Sequence, residues 1–163
     1  MSLSGNSYKA RLGLALMGLA YELIEVDWRK GETRTEAFLR LNPRGQVPVL
    51  EDGELIVWES QAILVYLARQ YDPRWLPMEV TRLTQVVQWL GVSENEIYSG
   101  LAIARGAKRY DMEVDMAEAM RWSLRALATV ILSSSESSSI PRMAMMSWRS
   151  LYLCSTCWTP RAT

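Results

Sequence analysis

Two short polar runs carry the side chains with the clearest capacity for chemistry, and each stands where a helix is predicted to begin. The run Ser4-Gly5-Asn6-Ser7 offers two hydroxyl groups and an amide. Such groups cap the free N–H groups of a helix, and a helix N-terminus also favours an anion. The pair Glu59-Ser60 follows an apolar segment, and the Ser60 hydroxyl together with free helix N–H groups suits a carboxylate. Glu59 adds a negative charge that suits an ammonium group.

A proline interrupts the apolar segment that precedes this pair. Pro48 follows Val47 in a run that is otherwise typical of a short strand, and a proline removes one hydrogen bond from a strand ladder. The residue before a proline prefers extended geometry, so Val47 can present its N–H and C=O to a peptide ligand, as an added strand does. The alternative interpretation is a proline at the edge of a sheet.

The elements that must position these residues follow from periodicity and turn signals. A capping-box pattern, Thr33-x-x-Glu36, is expected to begin the second helix, and Asn42-Pro43 is expected to end it. The predicted order is helix, strand, helix, strand, strand, helix. The remaining segments are helix Ser7–Leu19, strand Tyr21–Val26, hairpin strands Val47–Leu50 and Leu55–Trp58 around Glu51-Asp52-Gly53, and a helix capped by Ser60 that runs to Tyr71.

The run LNPRGQVPVLEDGELIVWES, residues 41–60, resembles the glutathione-binding half of the cytosolic glutathione transferases. The likeness rests on Asn-Pro, Val-Pro and Glu-Ser at these spacings. It implies an α/β fold, with a thioredoxin-like N-terminal domain over residues 1–71 followed by an incomplete all-α C-terminal domain. The predicted order of elements is that of a thioredoxin-like domain whose first strand is missing, because Met1-Ser2-Leu3 is too short to supply it.

The resemblance also implies roles for the polar residues. Ser4 falls on the catalytic serine of theta- and zeta-like members, whose hydroxyl holds the thiol of glutathione as a thiolate, and Ser7 is the alternative. A free thiol has a pKa of about 8.5, so one charge-assisted hydrogen bond is enough to favour the anion. In the family the Val-Pro bond is cis, and the Glu-Ser pair holds the γ-glutamyl end of glutathione. The implied glutathione-binding residues are Asn6, Gln46, Val47, Pro48, Glu59 and Ser60.

The sequence changes character after residue 71. Residues 72–81 are predicted to form a linker, and the helical spacing of apolar residues over 82–132 indicates a partial helical domain. Residues 133–163 begin with a low-complexity serine run and form an atypical tail, expected to be disordered or out of frame. Cys154-x-x-Cys157 lies in that tail without the strand-to-helix context of a redox motif, so we interpret it as coincidence.

Composition excludes several functional classes. Lys+Arg and Asp+Glu number 18 each, so the neutral chain offers no electrostatic case for binding nucleic acid or an anionic membrane. No segment has the pattern of a bilayer span or a signal peptide. The chain contains no histidine, which removes Ser-His and Cys-His catalysis and most zinc sites, so no metal is expected. Two cysteines fit a reducing compartment, and we expect the cytoplasm.

Three functional hypotheses remain. The first is an enzyme that adds the thiolate of glutathione, its co-substrate, to a small hydrophobic electrophile, and the family implies a homodimer. The second is a non-catalytic module that binds glutathione or a partner, and the third is a truncated, inactive product. In all three, Arg44 and Trp58 are interpreted as structural or solvated.

Overall fold

The computed structural model describes residues 4–135, with side chains described to residue 132. The chain divides into two compact units that meet between Leu76 and Pro77, a boundary inside the segment 72–81. The tail lies outside the described residues except for the backbone of 133–135, which continues the last helix, and the Cys154-Cys157 pair also lies outside them. The thioredoxin-like α/β class of the first unit is confirmed, and the described part of the second unit is helical.

The first helix, α1, spans Gly5–Leu16 and begins earlier than predicted. Ser4 occupies the N-cap, and its Oγ accepts the backbone N–H of Ser7 at 3.2 Å. The helix ends before Gly18, which adopts a positive φ of 70°. A glycine accepts this left-handed conformation without a steric penalty, which explains why the helix does not reach Leu19.

The segment predicted as strand Tyr21–Val26 is not a strand, and this prediction is wrong. Residues 20–27 have no regular secondary structure. Leu23 and Ile24 are 47% and 70% exposed. A strand exists through hydrogen bonds to a neighbouring strand, and within residues 4–135 the only paired strands belong to a hairpin further along the chain. Strand-favouring residues without a pairing partner therefore do not form a ladder.

The second helix, α2, spans Glu36–Leu41 and is capped by Thr35. The Thr35 hydroxyl accepts the N–H of Phe38 at 3.3 Å. The predicted Thr33 cap is thus wrong by two residues, because the preceding residues Glu32–Arg34 already form a 3₁₀ turn in which Thr33 is buried. Asn42 ends the helix as predicted, with extended backbone geometry.

The hairpin pairs β1, Val49–Asp52, with β2, Leu55–Trp58, in antiparallel register from Val49 opposite Trp58 to Asp52 opposite Leu55. The first strand begins after Pro48 rather than at Val47, because proline has no N–H to donate to the ladder. Gly53 has a φ of 60° in the connecting turn.

The hairpin packs against α3, Ser60–Tyr71, which in turn packs against α1. One buried apolar cluster of this unit comprises Ala10, Leu14, Ile63 and Leu67. Leu50 and Val57 from the two strands pack against it. One apolar core therefore fixes the starts of α1 and α3 relative to the hairpin, and a 3₁₀ turn, Pro73–Trp75, follows α3.

The second unit contains a long helical run followed by another helix. The run comprises α4 (Val80–Val92), a π-helical segment (Ser93–Ala102) and α5 (Ile103–Tyr110). The last described helix, α6, spans Met116–Ser135 and packs against the π-helical segment. A Cβ on Gly100 would lie 2.4 Å from the backbone N of Ser123, so only glycine permits this close approach. None of the described helices is long and apolar enough to cross a membrane.

Candidate functional site

An open, shallow cleft lies in the first unit, where four of its elements meet. The start of α1, the loop after α2, the end of β2 and the start of α3 contribute its walls. All six residues that the sequence predicted for glutathione binding lie there, together with three others. The lining residues are Asn6, Asn42, Arg44, Gln46, Val47, Pro48, Trp58, Glu59 and Ser60.

The loop after α2 is held by the side chain of Asn42, which is 2% exposed. Its Nδ2 donates to the carbonyl of Gln46 at 2.7 Å, and its Oδ1 accepts the N–H of Arg44 at 3.0 Å. The N–H of Gly45 also donates to the Asn42 carbonyl at 2.9 Å. Because both ends of the buried amide are satisfied inside one loop, Asn42 fixes the backbone that leads into Val47.

The Val47-Pro48 peptide bond is cis, as the resemblance implied. Among the residues that the structure describes, no hydrogen bond engages the backbone N–H or C=O of Val47. The ladder of the hairpin begins two residues later, at Val49. The cleft therefore contains one backbone donor and one backbone acceptor that an extended peptide can pair with.

Elsewhere in the lining of the cleft, the junction between β2 and α3 places an acid beside a hydroxyl. Glu59 has a φ of 77°, and Ser60 is 1% exposed. The Ser60 Oγ donates to Glu59 Oε1 at 3.3 Å. The prediction that Ser60 caps α3 is wrong, since Glu59 occupies the N-cap without a side-chain cap bond and Ser60 is the first helical residue. As the first helical residue it lies beside the unpaired N–H groups that make a helix start favourable for an anion.

The guanidinium of Arg44 reaches the same carboxylate. Its Nη1 lies 3.1 Å from Glu59 Oε2, so Glu59 interacts with Ser60 through one oxygen and with Arg44 through the other. Arg44 and Trp58 were interpreted as structural or solvated, yet both line the cleft. The signal that could have found Arg44 is its place between Asn42-Pro43 and Gln46, within the run that carries the resemblance.

The two serines predicted for catalysis lie at the start of α1. Ser4 Oγ accepts the Ser7 N–H as the helix cap, which is the structural role that the sequence left open for it. Neither Ser4 nor Ser7 belongs to the lining of the cleft, whereas Asn6 between them does. The loop thus points its amide residue to the cleft and uses one hydroxyl to begin the helix.

A charged cluster outside the cleft ties the hairpin to α3. Asp52, at the end of β1, accepts hydrogen bonds from the hydroxyls of Tyr71 and, at 2.7 Å, Tyr66. These bonds hold the pKa of Asp52 below its usual range. The bond to Asp52 also raises the pKa of Tyr66 to about 12, because the carboxylate stabilises the neutral phenol. The cluster therefore ties the turn end of the hairpin to the later part of α3.

Within the described part of the chain, no cluster of acidic or cysteine residues could hold a metal ion. The charged and polar groups of the cleft instead suit an organic ligand that carries both charges. An anionic group fits at Ser60 and the start of α3, an ammonium fits at Glu59, and a peptide backbone fits at Val47.

Comparison with known proteins is consistent with this arrangement. The profile of the family Glutathione S-transferase, N-terminal domain, matches residues 2–69. The chain is similar to glutathione S-transferase F14 of Arabidopsis thaliana, at 45% identity over 48% of this chain and 33% of the relative. It is also similar to glutathione S-transferase theta-1 of Bos taurus, at 42% identity over 44% of this chain and 31% of the relative. The aligned region thus spans about a third of each of these two relatives.

Solved structures match over more of the chain. A glutathione S-transferase from Pseudomonas fluorescens is 33% identical, with a TM-score of 0.82 over 94% of this chain and 81% of that one. A theta class glutathione S-transferase from Xanthomonas axonopodis pv. citri, solved with glutathione bound, is 30% identical, with a TM-score of 0.78 over 90% of this chain and 75% of that one.

Proposed function

The chain belongs to the glutathione S-transferase family, and we propose that its cleft binds glutathione for transfer to a small hydrophobic electrophile. Glutathione is a peptide with an α-amino-acid head at one end and a thiol in the middle. The observation that supports the proposal most directly is the arrangement of Glu59, Ser60 and Val47 around one cleft. The carboxylate of Glu59 suits the ammonium of that ligand, and the start of α3 suits its α-carboxylate. The backbone of Val47 suits the backbone of the peptide.

Each group has a distinct task in this proposal. Glu59 accepts the ammonium of the γ-glutamyl head, while Ser60 and the start of α3 donate to its α-carboxylate. The N–H and C=O of Val47 pair with the backbone of the cysteinyl residue, and Gln46 contacts the glycyl carboxylate. Asn6, at the start of α1, is a further polar contact to the ligand. Together these contacts hold the peptide in one extended orientation.

The chemical step needs the thiol as a thiolate. Ser4, with Ser7 as the alternative, donates a hydrogen bond from its hydroxyl group to the sulfur, and the start of α1 favours the negative charge. The proton of the thiol passes to solvent water. The thiolate attacks an electrophilic carbon. A C–S bond forms while the bond to the leaving group breaks, and the leaving group departs with the electron pair.

The test of binding compares Ser60→Ala with Ser7→Ala. Both changes remove one serine hydroxyl near the start of a helix, but only Ser60 lines the cleft. Loss of a donor to a buried carboxylate costs about 1–3 kcal/mol, so Ser60→Ala should weaken glutathione binding by roughly five- to 150-fold. Isothermal titration calorimetry measures both variants. Equal affinities of Ser60→Ala and Ser7→Ala would contradict the site.

A second candidate function is a glutathione-binding module without turnover. The observation that favours it is that Ser4 caps α1 and that neither Ser4 nor Ser7 lines the cleft. Retention on immobilised glutathione, combined with turnover of a generic aryl halide, favours the transferase. Retention without turnover favours the binding module.

The resemblance further supports a homodimer, and the two cysteines support a reducing compartment, the cytoplasm, as parts of this proposal. Sedimentation equilibrium of the full chain measures the assembly directly, and a monomer at all protein concentrations would contradict the dimer. Fluorescence microscopy of a tagged full chain tests the location.

A further inference from the structure

Two opposite charges stand side by side at the wall of the cleft. Arg44 Nη1 and Glu59 Oε2 are 3.1 Å apart, and both residues line the cleft. The side chains are 53% and 35% exposed, so both remain accessible from solvent. Ser60, buried next to them, donates to the second oxygen of the same carboxylate. The three residues form a charged row in the order cation, anion, hydroxyl.

This row is held in place from both sides. The backbone N–H of Arg44 donates to the buried side chain of Asn42 at 3.0 Å, and its carbonyl accepts a hydrogen bond from Arg34 Nη1 at 3.4 Å. The backbone of Glu59 is fixed at the start of α3, where its carbonyl accepts the N–H of Ile63 at 3.0 Å. These backbone hydrogen bonds help to hold both residues in place, and the guanidinium and the carboxylate are already side by side before a ligand arrives.

We propose that Arg44 and Glu59 act as a pair that recognises both charges of the ligand's α-amino-acid head. Glu59 binds the ammonium, and the planar guanidinium of Arg44 binds the α-carboxylate together with Ser60. Binding exchanges one internal ion pair for two intermolecular ones, so no charge is left without a counterpart. This inference rests on the proposed function and makes Arg44 a specificity-determining residue for it.

The test replaces Arg44 with glutamine and uses Arg40→Gln as its matched control. Arg40 also forms an ion pair, with Glu36 at 2.7 Å on α2, but does not line the cleft. The two variants therefore have the same net charge, and only one loses a cation at the site. Arg44→Gln should bind glutathione about fivefold more weakly than wild type, a modest loss because the guanidinium is half exposed. Arg40→Gln should bind as wild type does.

Ligand analogues show which charge Arg44 recognises. An analogue of glutathione whose γ-glutamyl α-carboxylate is an amide should bind wild type and Arg44→Gln equally, because the partner of the guanidinium is gone. An analogue that lacks the α-amino group should still show the fivefold difference. Raising the ionic strength should shrink the difference for glutathione itself, since salt screens an accessible charge pair. Arg44→Lys should recover part of the affinity, because it keeps the charge without the planar fork.

The outcomes separate this inference from the function on which it rests. Tighter binding by Arg44→Gln would overturn the inference, since it would mean that Arg44 competes with the ligand for Glu59. Equal affinities of Arg44→Gln and Arg40→Gln for glutathione would overturn it as well. In that case, glutathione binding by the wild-type protein would leave the proposed function intact. Absence of glutathione binding by wild type would overturn both.

Discussion

Replacing Asn42 with alanine should loosen the loop that leads into the cis peptide bond and thereby weaken glutathione binding in the cleft. Asn42 is almost fully buried, and its side chain makes two hydrogen bonds, to the carbonyl of Gln46 at 2.7 Å and from the N–H of Arg44 at 3.0 Å. Alanine removes both bonds and leaves the helix-ending backbone of residue 42 in place. The change therefore acts on the loop and spares the core of the first unit.

The magnitude follows from the number and exposure of these bonds. A typical intramolecular hydrogen bond contributes about 1 kcal/mol net, so two contribute about 2 kcal/mol. The larger penalty of an unsatisfied buried group does not apply in full, because Arg44 and Gln46 are exposed and water can reach their backbone groups. A loss of about 2 kcal/mol in the local opening free energy corresponds to roughly thirtyfold faster amide exchange in the loop.

Hydrogen–deuterium exchange by mass spectrometry on a peptide that covers residues 43–47 measures this effect, and calorimetry measures glutathione affinity in parallel. Asn95→Ala is the matched control. Asn95 also donates its Nδ2 to a backbone carbonyl, that of Gly91 at 2.9 Å, but it is exposed and lies in the second unit. Exchange over residues 43–47 should be unchanged in Asn95→Ala. If Asn42→Ala exchanged as slowly as this control and bound glutathione as tightly as wild type, the positioning role of Asn42 would be refuted.

Two further changes test the start of α1 and the cluster beside the hairpin. Ser4→Ala should lower turnover and raise the pKa of bound glutathione, read from thiolate absorbance against pH, and should destabilise α1 by about 1 kcal/mol through loss of its cap. Ser4→Asp keeps the cap but lacks the hydroxyl donor, so it should restore the stability of α1 without lowering the pKa of bound glutathione. If that pKa changes only in Ser7→Ala, Ser7 rather than Ser4 is the thiolate donor. The hydrogen bond to Asp52 raises the pKa of Tyr66 to about 12, above the ordinary value of 10.0. The stability that this bond contributes is therefore complete below pH 10 and is lost as the pH rises towards 12. Asp52→Asn should therefore bring the tyrosinate absorbance of Tyr66 to lower pH, and an unchanged titration would contradict the hydrogen bond.

Local signals identified most of the first unit correctly. Asn42-Pro43 predicted the end of α2, the turn residues before β2 predicted the hairpin, and the apolar spacing after Ser60 predicted α3 to Tyr71. These features depend on backbone preferences of neighbouring residues, which a sequence carries directly. The cis bond at Val47-Pro48 came from the family resemblance rather than from such preferences.

The wrong predictions concern features that residue patterns along the chain do not encode. Residues 21–26 have strand-favouring side chains but no pairing partner within the described residues, and pairing is decided by the whole sheet. Thr33 was displaced as a cap by a 3₁₀ turn that the capping-box pattern does not encode. Ser60 lost the cap position to Glu59, whose φ of 77° depends on how β2 meets α3.

The sequence by itself therefore determined the helices, the hairpin, the family and the residue types that suit a zwitterionic peptide. Tertiary structure decided which of those residues meet. Asn42, predicted only to end a helix, became the buried residue that holds the loop of the cleft. Arg44 lies 15 residues from Glu59 along the chain, and only the packing of the hairpin and α3 brings its guanidinium within 3.1 Å of that carboxylate. Spacing along the chain predicts local geometry, whereas a contact between distant residues requires the folded core that places them.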